Sequence, residues 1–296
     1  MRVTLTGASG LIGTRLADRL RARGDEVTTL SRKPTTPGAI AWQPEDEPAP
    51  AAALAGRDAV VHLAGENVAQ RWSDDAKRAI RSSRELGTRN LVAGIAAADP
   101  RPRVLVSSSA VGYYGPHGDE RLDETAPPGT GFLPEVCVIW EREAQHAAEL
   151  GLRVVTVRTG VVLDRSGGAL AKMLPFFKLG VGGPVAGGDQ YMAWIHVDDV
   201  VGLYRAALDG EEWAGAVNAS APEPVTNKVF SKALGRALRR PAFAPVPSLA
   251  VRTLYGEMAE IVTEGQRVVP RRAQELGYAF AHPDLEEALR SALSDT

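Results

Sequence analysis

Cysteine, long apolar runs and an excess of charge of one sign are all missing from the 296-residue sequence. Cys137 is the single cysteine, so an intrachain disulfide and a thiol-rich metal cage are excluded, and this usage fits a reducing compartment. No stretch of 18 apolar residues occurs, and no basic segment followed by an apolar one opens the chain. We therefore expect a cytoplasmic protein with no membrane association and no bound metal.

The charge balance limits the partners that the chain is expected to bind. Thirty-four Lys and Arg residues face 36 Asp and Glu residues, which gives a net charge of -2. Such a balance does not favour nucleic acid or an acidic membrane as a partner. Hydrophobic residues at 44% and charged residues at 24% are typical of a globular protein. We expect a small molecule as the substrate, and we allow for a homodimer.

Short segments rich in valine or leucine alternate with helical patterns along the first half of the chain. The predicted strands cover residues 3–5, 26–31, 59–63, 103–108 and 153–157. The predicted helices cover residues 11–24, 73–98 and 135–150. Strands that alternate with helices of this length predict an α/β fold, a Rossmann-type doubly wound parallel sheet.

Two domains follow from this pattern. Residues 1–163 are predicted to form a Rossmann domain that binds NADP(H), with a return to it near residues 195–208. Residues 164–296 are predicted to form mainly a smaller C-terminal lid on the substrate side, because an open sheet needs a cover to complete a pocket outside its strand ends. The proline-rich stretch 33–53 is predicted to be a surface loop.

A glycine turn lies between the first strand and the first helix, where a dinucleotide-binding fingerprint is expected. Its sequence, TGASGLIG at 6–13, spaces the glycines three apart. Gly7 allows a tight turn, Gly10 lets a pyrophosphate approach, and Gly13 lets the helix pack on the strand. The helix N-terminus adds N–H groups and a partial positive charge for phosphates. The cofactor-binding residues predicted here are Gly7, Ser9, Gly10, Leu11, Ile12 and Gly13.

The end of the second strand indicates which dinucleotide is bound. NAD(H) enzymes place an Asp or Glu there to hold the ribose 2'-hydroxyl, whereas this strand ends in Ser31, Arg32 and Lys33. A serine and an arginine suit a 2'-phosphate. We therefore predict NADP(H), with the alternative that Arg32 and Lys33 are only solvated loop charges.

Small or hydroxyl-bearing residues end the next two strands. Leu63, Ala64 and Gly65 allow a cofactor to lie flat across the third strand, while His62 before them is predicted to be a core histidine. Hydroxyls at 107–109 end the fourth strand, where they either polarise a carbonyl or cap the loop.

Four motifs stand along the chain in the order of a known family. They are the glycine turn, the strand at 58–65, the serines followed by Tyr114-Gly115, and WIHVDDV at 194–200. Together they resemble the extended short-chain dehydrogenases/reductases, the NAD-dependent epimerase/dehydratase superfamily. Further segments are similar to one atypical group of epimerase family proteins: SRKP at 31–34, AGEN at 64–67, IRSSR at 80–84, RTGVVL at 158–163 and EGQRV at 264–268.

The resemblance implies several site residues. Arg84 replaces the first Asn of the family's Asn-x-x-Gly-Thr-x-Asn-Leu motif, and it either reaches the cofactor phosphates or lies on the helix surface. Ser107 and Val162 are implied as further cofactor contacts. Tyr113, Trp194 and His196 are implied as substrate contacts.

The family's proton relay does not carry over completely. The family moves the proton with a Ser or Thr, a Tyr, and a Lys four residues after the Tyr. Ser109 matches the Ser, but residues 131–140 contain neither Tyr nor Lys, and none of the six tyrosines has Lys four residues later. Ser109 and Tyr114 are the predicted catalytic residues, with Tyr113, Glu135 and His196 as other stand-ins.

Two functions remain open. The first is an NADP(H)-dependent oxidoreductase or epimerase that acts on a carbonyl or alcohol, with nucleotide-linked sugars as the family's example. The second is a protein that binds NADP(H) as a sensor or partner and catalyses nothing.

Overall fold

The computed structural model describes residues 1–34 and 38–294. Its strands are β1 Arg2–Thr6, β2 Glu26–Ser31, β3 Ala39–Ala41, β4 Ala59–His62, β5 Val104–Ala110, β6 Arg121–Leu122, β7 Arg153–Thr159, β8 Val161–Leu163, β9 Tyr191–Met192, β10 Trp194–His196, β11 Gly215–Ala219, β12 Val225–Thr226 and β13 Arg267–Val268. Its α-helices are α1 Leu11–Ala22, α2 Asp74–Ala97, α3 Phe132–Glu149, α4 Gly168–Lys178, α5 Val197–Asp209, α6 Asn227–Leu238, α7 Ser248–Tyr255, α8 Glu260–Thr263, α9 Arg271–Glu275 and α10 Leu285–Leu293.

Seven parallel strands form the central sheet in the order β11-β7-β5-β4-β1-β2-β3. This sheet confirms the predicted Rossmann-type fold. The chain builds outward from β1 to β3 and then returns to the other side of β1 at β4. A crevice opens at such a reversal, outside the carboxyl ends of the strands, so a ligand site is expected between β1 and β4.

Apolar side chains cover both faces of the sheet, as parallel strands require. On one face, Val3, Leu5 and Val61 pack with residues of α1 and α5. On the other face, Val60 and Leu105 pack with residues of α2 and α3. Each of these four helices therefore has one apolar stripe against the sheet, and such a stripe gives a helical pattern in the sequence.

The stretch at 33–53 is only partly the loop that was predicted. β3 extends the sheet beside β2, and Trp42 directly after it is buried. Three residues are too few to show a strand period among prolines, so the sequence pattern missed this strand. Pro37 and its two preceding residues lie outside the described part of the chain.

The second half of the chain contributes to the main sheet as well as to a separate layer. β11 pairs with β7, and α5 packs on the sheet. The return to the Rossmann domain near 195–208 stays a prediction. Beyond these, α4, α6 and α10 enclose a further core around Trp194 and Phe230. The division at residue 163 stays a prediction. No helix of the described residues is long and apolar enough to cross a membrane.

Candidate functional site

A cavity of about 460 Å³ lies at the reversal point of the sheet. It runs from the glycine turn along the groove between α1 and β2, and the loop after β4 closes its other side. Eight predicted cofactor residues line it: Gly7, Ser9, Gly10, Ser31, Arg32, Leu63, Ala64 and Gly65. The structure thus brings these eight residues together, and their contact with a cofactor stays a prediction.

The three glycines of the turn differ in their surroundings. A Cβ on Gly7, whose φ is +70°, would lie 2.6 Å from the Leu63 carbonyl carbon, and a Cβ on Gly13 would lie 2.2 Å from the Gly7 oxygen. Gly10 has an ordinary φ of -79°, and a Cβ there would meet only the Gly7 oxygen at 3.4 Å. Gly7 and Gly13 thus serve the fold, while Gly10 keeps the cavity open.

The N-terminus of α1 suits an anionic group. Gly10 is the N-cap and offers no side chain, so no side chain caps the first-turn N–H groups. Leu11 and Ile12 contribute these groups, while the Ile12 side chain packs on the core and Leu11 lies against Gly167. A pyrophosphate fits this end of the cavity because the N–H groups and the helix dipole both favour negative charge.

The far end of the cavity carries two arginines. Arg32, exposed after β2, has no hydrogen-bond partner for its guanidinium among the described residues. Arg21 on α1 also lines the cavity, and its Nη1 lies 3.8 Å from Asp18 Oδ1. The Ser31 hydroxyl donates to the Lys33 carbonyl oxygen at 3.1 Å and shapes the turn between them. Arg21 was not among the predicted cofactor residues, because nothing in the sequence indicates that this position of α1 faces a cavity.

Arg84 does not lie on the helix surface, which was one of its two predicted positions. It is buried rather than on the helix surface, and its Nη1 donates to the carbonyl oxygens of Glu66 and Ile80. Its guanidinium lies 4.8 Å from the Trp140 ring and 3.2 Å from the place of a Cβ on Gly65. Arg84 therefore supports the loop after β4 from behind, and its contact with cofactor phosphates stays a prediction.

The remaining predicted cofactor residues lie outside the cavity lining. Ser107 is fully buried on β5, and its hydroxyl donates to the Ser108 carbonyl oxygen at 3.3 Å. Val162 on β8 packs against the main core. No contact in the structure tests their predicted role.

A polar network connects the carboxyl ends of β5 and β7 with α3. The Ser109 hydroxyl donates to Glu141 Oε1 at 2.6 Å. Arg158 donates to both oxygens of the same carboxylate, with Nε–Oε1 at 2.8 Å and Nη2–Oε2 at 2.9 Å. Glu141 and Arg158 were not among the predicted site residues. A lone arginine in the buried strand VVTVRT signals a buried partner, but the sequence does not identify that partner.

The Tyr114 hydroxyl is enclosed by this network. It donates to Asn218 Oδ1 at 2.7 Å and accepts from Arg158 Nη1 at 3.0 Å, and the side chain is fully buried. Burial raises the pKa of Tyr114 to about 12. These contacts correct the expectation that Tyr114 exchanges protons with a substrate, because the hydroxyl is already paired inside the protein.

Trp194 and His196 are also buried and hydrogen-bonded within the protein. The Trp194 indole is 1% exposed in the core of the second layer, and its Nε1 donates to the Glu223 carbonyl oxygen. His196 caps α5, because its Nδ1 accepts from the Asp198 N–H at 3.1 Å, and its ring lies 3.8 Å from that of His282. Both side chains are buried, and their contact with a substrate stays a prediction.

His62 is the core histidine that was predicted. It is fully buried, and its two ring nitrogens lie 2.7 Å from Thr6 Oγ1 and 3.1 Å from Thr88 Oγ1. Burial, assisted by the charge of Arg84, lowers its pKa to about 4. The ring stays neutral near neutral pH and ties β4 to β1 and α2.

Comparison with known proteins places this geometry in a family. Residues 3–219 match the NAD dependent epimerase/dehydratase family, and residues 246–292 match a domain of unknown function, DUF1731. The human epimerase family protein SDR39U1 is 40% identical over 99% of this chain and 100% of its own length. A chloroplastic SDR39U1 homolog of Arabidopsis thaliana is 42% identical over 99% of this chain and 87% of its own length. The cytoplasmic location therefore stays a prediction.

Solved structures agree in fold. The crystal structure of human SDR39U1 (isoform 2) with NADPH has a TM-score of 0.90 and 39% identity, and each chain covers 99% of the other. A nucleoside-diphosphate sugar epimerase from Corynebacterium glutamicum has a TM-score of 0.81 and 36% identity, over 99% of this chain and 58% of its own. The predicted NADP(H) cofactor agrees with the NADPH in the human relative. The chain thus belongs to the NAD dependent epimerase/dehydratase family, as its motifs predicted.

Proposed function

We propose that the chain binds NADP(H) in the 460 Å³ cavity and acts as an oxidoreductase or epimerase on a carbonyl or alcohol substrate. The observation that carries this proposal is the cavity itself. The open N-terminus of α1 lies at one end, and at the other lies Arg32, whose guanidinium has no partner among the described residues. The NADPH bound by the human relative, at 39% identity, supports the same assignment.

Different residues of the cavity suit different parts of the cofactor. The first-turn N–H groups of α1 would hold the pyrophosphate, and Arg32 with Arg21 would hold the 2'-phosphate. Leu63, Ala64 and Gly65 would let the dinucleotide extend across the end of β4 toward β5. The nicotinamide supplies hydride transfer when bound. Ser109 would lie on the reacting side.

The rival function is a protein that binds NADP(H) without turnover. The absence of the Tyr-x-x-x-Lys pair favours it, since general acid–base catalysis contributes typically ~10² to 10⁴ in rate. The buried, fully paired network at Ser109 favours an enzyme, because a charged network is costly to maintain inside a protein.

Calorimetric titration of the purified protein with NADPH, NADP⁺ and NADH tests the binding. We expect NADPH to bind at least tenfold tighter than NADH. Equal affinities would contradict the cofactor assignment. A panel of sugar nucleotides, aldehydes and ketones, followed at the reduced-nicotinamide absorbance band, then separates the two functions. Slow oxidation of NADPH with any of these compounds supports an enzyme. No oxidation with any of them supports a protein that only binds NADP(H).

A further inference from the structure

Tyr113 and Tyr114 are neighbours after β5, but their hydroxyl groups have opposite surroundings. The Tyr114 hydroxyl is enclosed by Asn218 and Arg158. Tyr113 is partly exposed, and no residue of the described chain forms a hydrogen bond with its hydroxyl. Of the two tyrosines at this strand end, Tyr113 is therefore the one able to exchange a proton with a ligand.

A positive charge lies directly against the ring of Tyr113. The guanidinium carbon of Arg158 is 3.5 Å from the ring centroid, well inside the ~6 Å limit for a cation over an aromatic face. Burial opposes the charge on Arg158, but its bonds to Glu141 outweigh that effect, so its pKa is raised. The guanidinium thus remains protonated throughout the physiological range.

Glu141 fixes the position of that charge. Its carboxylate receives two parallel hydrogen bonds from Arg158 and a third from Ser109. The guanidinium plane is thereby held under Tyr113, and the Ser109 hydroxyl is held beside it. Such a bidentate pair restricts the arginine far more than a single contact.

The two α3 residues that have the spacing of the absent Tyr and Lys supply no competing base. Cys137 and Glu141 are four residues apart on this helix, which is the spacing of the absent Tyr and Lys. Burial raises the pKa of the Cys137 thiol to about 12, so it accepts no proton near neutral pH. Glu141 is occupied by Arg158.

We propose that Tyr113 is the catalytic acid–base residue of this site, that Arg158 replaces the missing lysine as its cation, and that Glu141 is a positioning residue. This assignment rests on the proposed carbonyl or alcohol chemistry. In the reducing direction the O–H bond of Tyr113 breaks and a new O–H bond forms on the carbonyl oxygen, while the carbonyl carbon takes the hydride that reduced dinucleotide supplies. The phenolate that results lies over Arg158. In the oxidising direction the proton returns from the alcohol to Tyr113.

O-acetylation by N-acetylimidazole, followed by peptide mass spectrometry, tests the assignment without a known substrate. We expect Tyr113 to be acetylated at least tenfold faster than Tyr114 in the native protein. Saturating NADP⁺ should slow the reaction at Tyr113 at least fivefold, because the proposed role requires the hydroxyl to lie at the reacting end of the bound cofactor. Equal rates at the two tyrosines, or no protection at a NADP⁺ concentration that calorimetry shows to be saturating, would overturn it.

Variants of Arg158 test the role of the cation. Arg158→Gln should slow acetylation of Tyr113 at least fivefold, and Arg158→Lys should restore most of the rate, which a purely structural role does not predict. Unchanged reactivity in a folded Arg158→Gln protein would contradict the proposal. If that variant does not fold, the NADP⁺ protection measured on the wild type still decides.

Activity gives a further readout. For each carbonyl compound that the wild type reduces, Tyr113→Phe should lower kcat about 100-fold with little change in KM, and full activity in this variant would overturn the proposal. Absence of NADPH binding would instead contradict the proposed function. The two failures are therefore distinguishable.

Discussion

At the scale of single residues, the glycine turn separates folding from binding. A methyl group on Gly13 has no space, because it would lie 2.2 Å from the Gly7 oxygen, whereas a methyl group on Gly10 meets only one atom at 3.4 Å and enters the cavity. A side chain added at Gly10 should therefore affect binding, whereas a side chain added at Gly13 should affect folding.

We predict that Gly10→Val folds with a Tm within a few degrees of wild type and loses NADPH binding at least 100-fold. The valine methyl groups would occupy the pyrophosphate path beside the α1 N-terminus. Gly13→Ala is the matched control and should lower the free energy of unfolding by roughly 2 kcal/mol or more, by overpacking. Circular dichroism melts and NADPH fluorescence titrations measure both effects. Retained NADPH binding in folded Gly10→Val would refute the role of Gly10.

Arg32 should set the preference for NADP(H). Its guanidinium has no protein partner among the described residues, so the phosphate interaction is not offset by a lost ion pair. Arg32→Ala should weaken NADPH binding at least tenfold, or about 1.4 kcal/mol, and leave NADH binding unchanged. Arg19→Ala is a control on α1, because Arg19 pairs with Asp198 instead. A preserved preference in Arg32→Ala would transfer the role to Arg21.

At the scale of elements, the network at Tyr114 joins β5, β7 and β11. Removing the Tyr114 hydroxyl leaves the buried Asn218 Oδ1 without its hydrogen-bond donor and takes one acceptor away from Arg158 Nη1. We predict that Tyr114→Phe lowers the free energy of unfolding by roughly 1–3 kcal/mol in urea titrations. The control is Tyr255→Phe on α7, whose hydroxyl has no hydrogen bond within the described chain. Equal effects of the two substitutions would contradict this structural role.

Elements with a strong period were predictable from the sequence. β2 was predicted at its observed bounds, and α2 within one residue at each end, because a long apolar stripe or a short run of β-branched residues leaves few alternatives. β3 and β11 were missed. Three residues among prolines and the weak pattern GAVNA show no period, and only pairing with a neighbouring strand makes them strands.

The residues that backbone geometry brings to the site were predictable from the sequence. The hydrogen-bond partners of its side chains were not. The glycine turn and Arg32 follow from local spacing. Tyr114 was assigned a catalytic role from its place after β5, but the hydroxyl turns to Asn218, 104 residues further along the chain. No local pattern specifies a contact at that separation, and the same applies to Ser109 with Glu141.

At the scale of the whole molecule, buried hydrogen bonds tie distant segments to the Rossmann core. The Asp199 carboxylate accepts the N–H groups of Ala281 and His282, so it anchors the C-terminal segment to α5. Buried histidines form a second set of such ties, and these make the stability of the molecule depend on pH.

His62 gives this dependence a definite sign. Its pKa is about 4 in the folded protein and 6.5 as the reference value for the unfolded chain, because burial and the charge of Arg84 oppose its protonation. Between these values the unfolded chain takes up a proton that the folded protein does not. The free energy of unfolding should thus fall as the pH decreases from about 6.5 to about 4, by roughly 3 kcal/mol in total. His196, whose pKa burial also lowers to about 4, adds a loss in the same direction.

Urea unfolding between pH 7.5 and 4.5 tests this expectation. Wild type should be most stable at the upper end and lose stability steadily toward pH 4.5. His62→Gln should be less stable at pH 7.5, since it loses the contacts with Thr6 and Thr88, but its stability should fall less with acidification because position 62 no longer titrates. Carboxylates with lowered pKa values, such as that of Asp123, lose their contribution only at lower pH, and they do so equally in both proteins. The same slope in wild type and His62→Gln over this interval would show that proton uptake at this buried ring does not control the acid sensitivity of the fold.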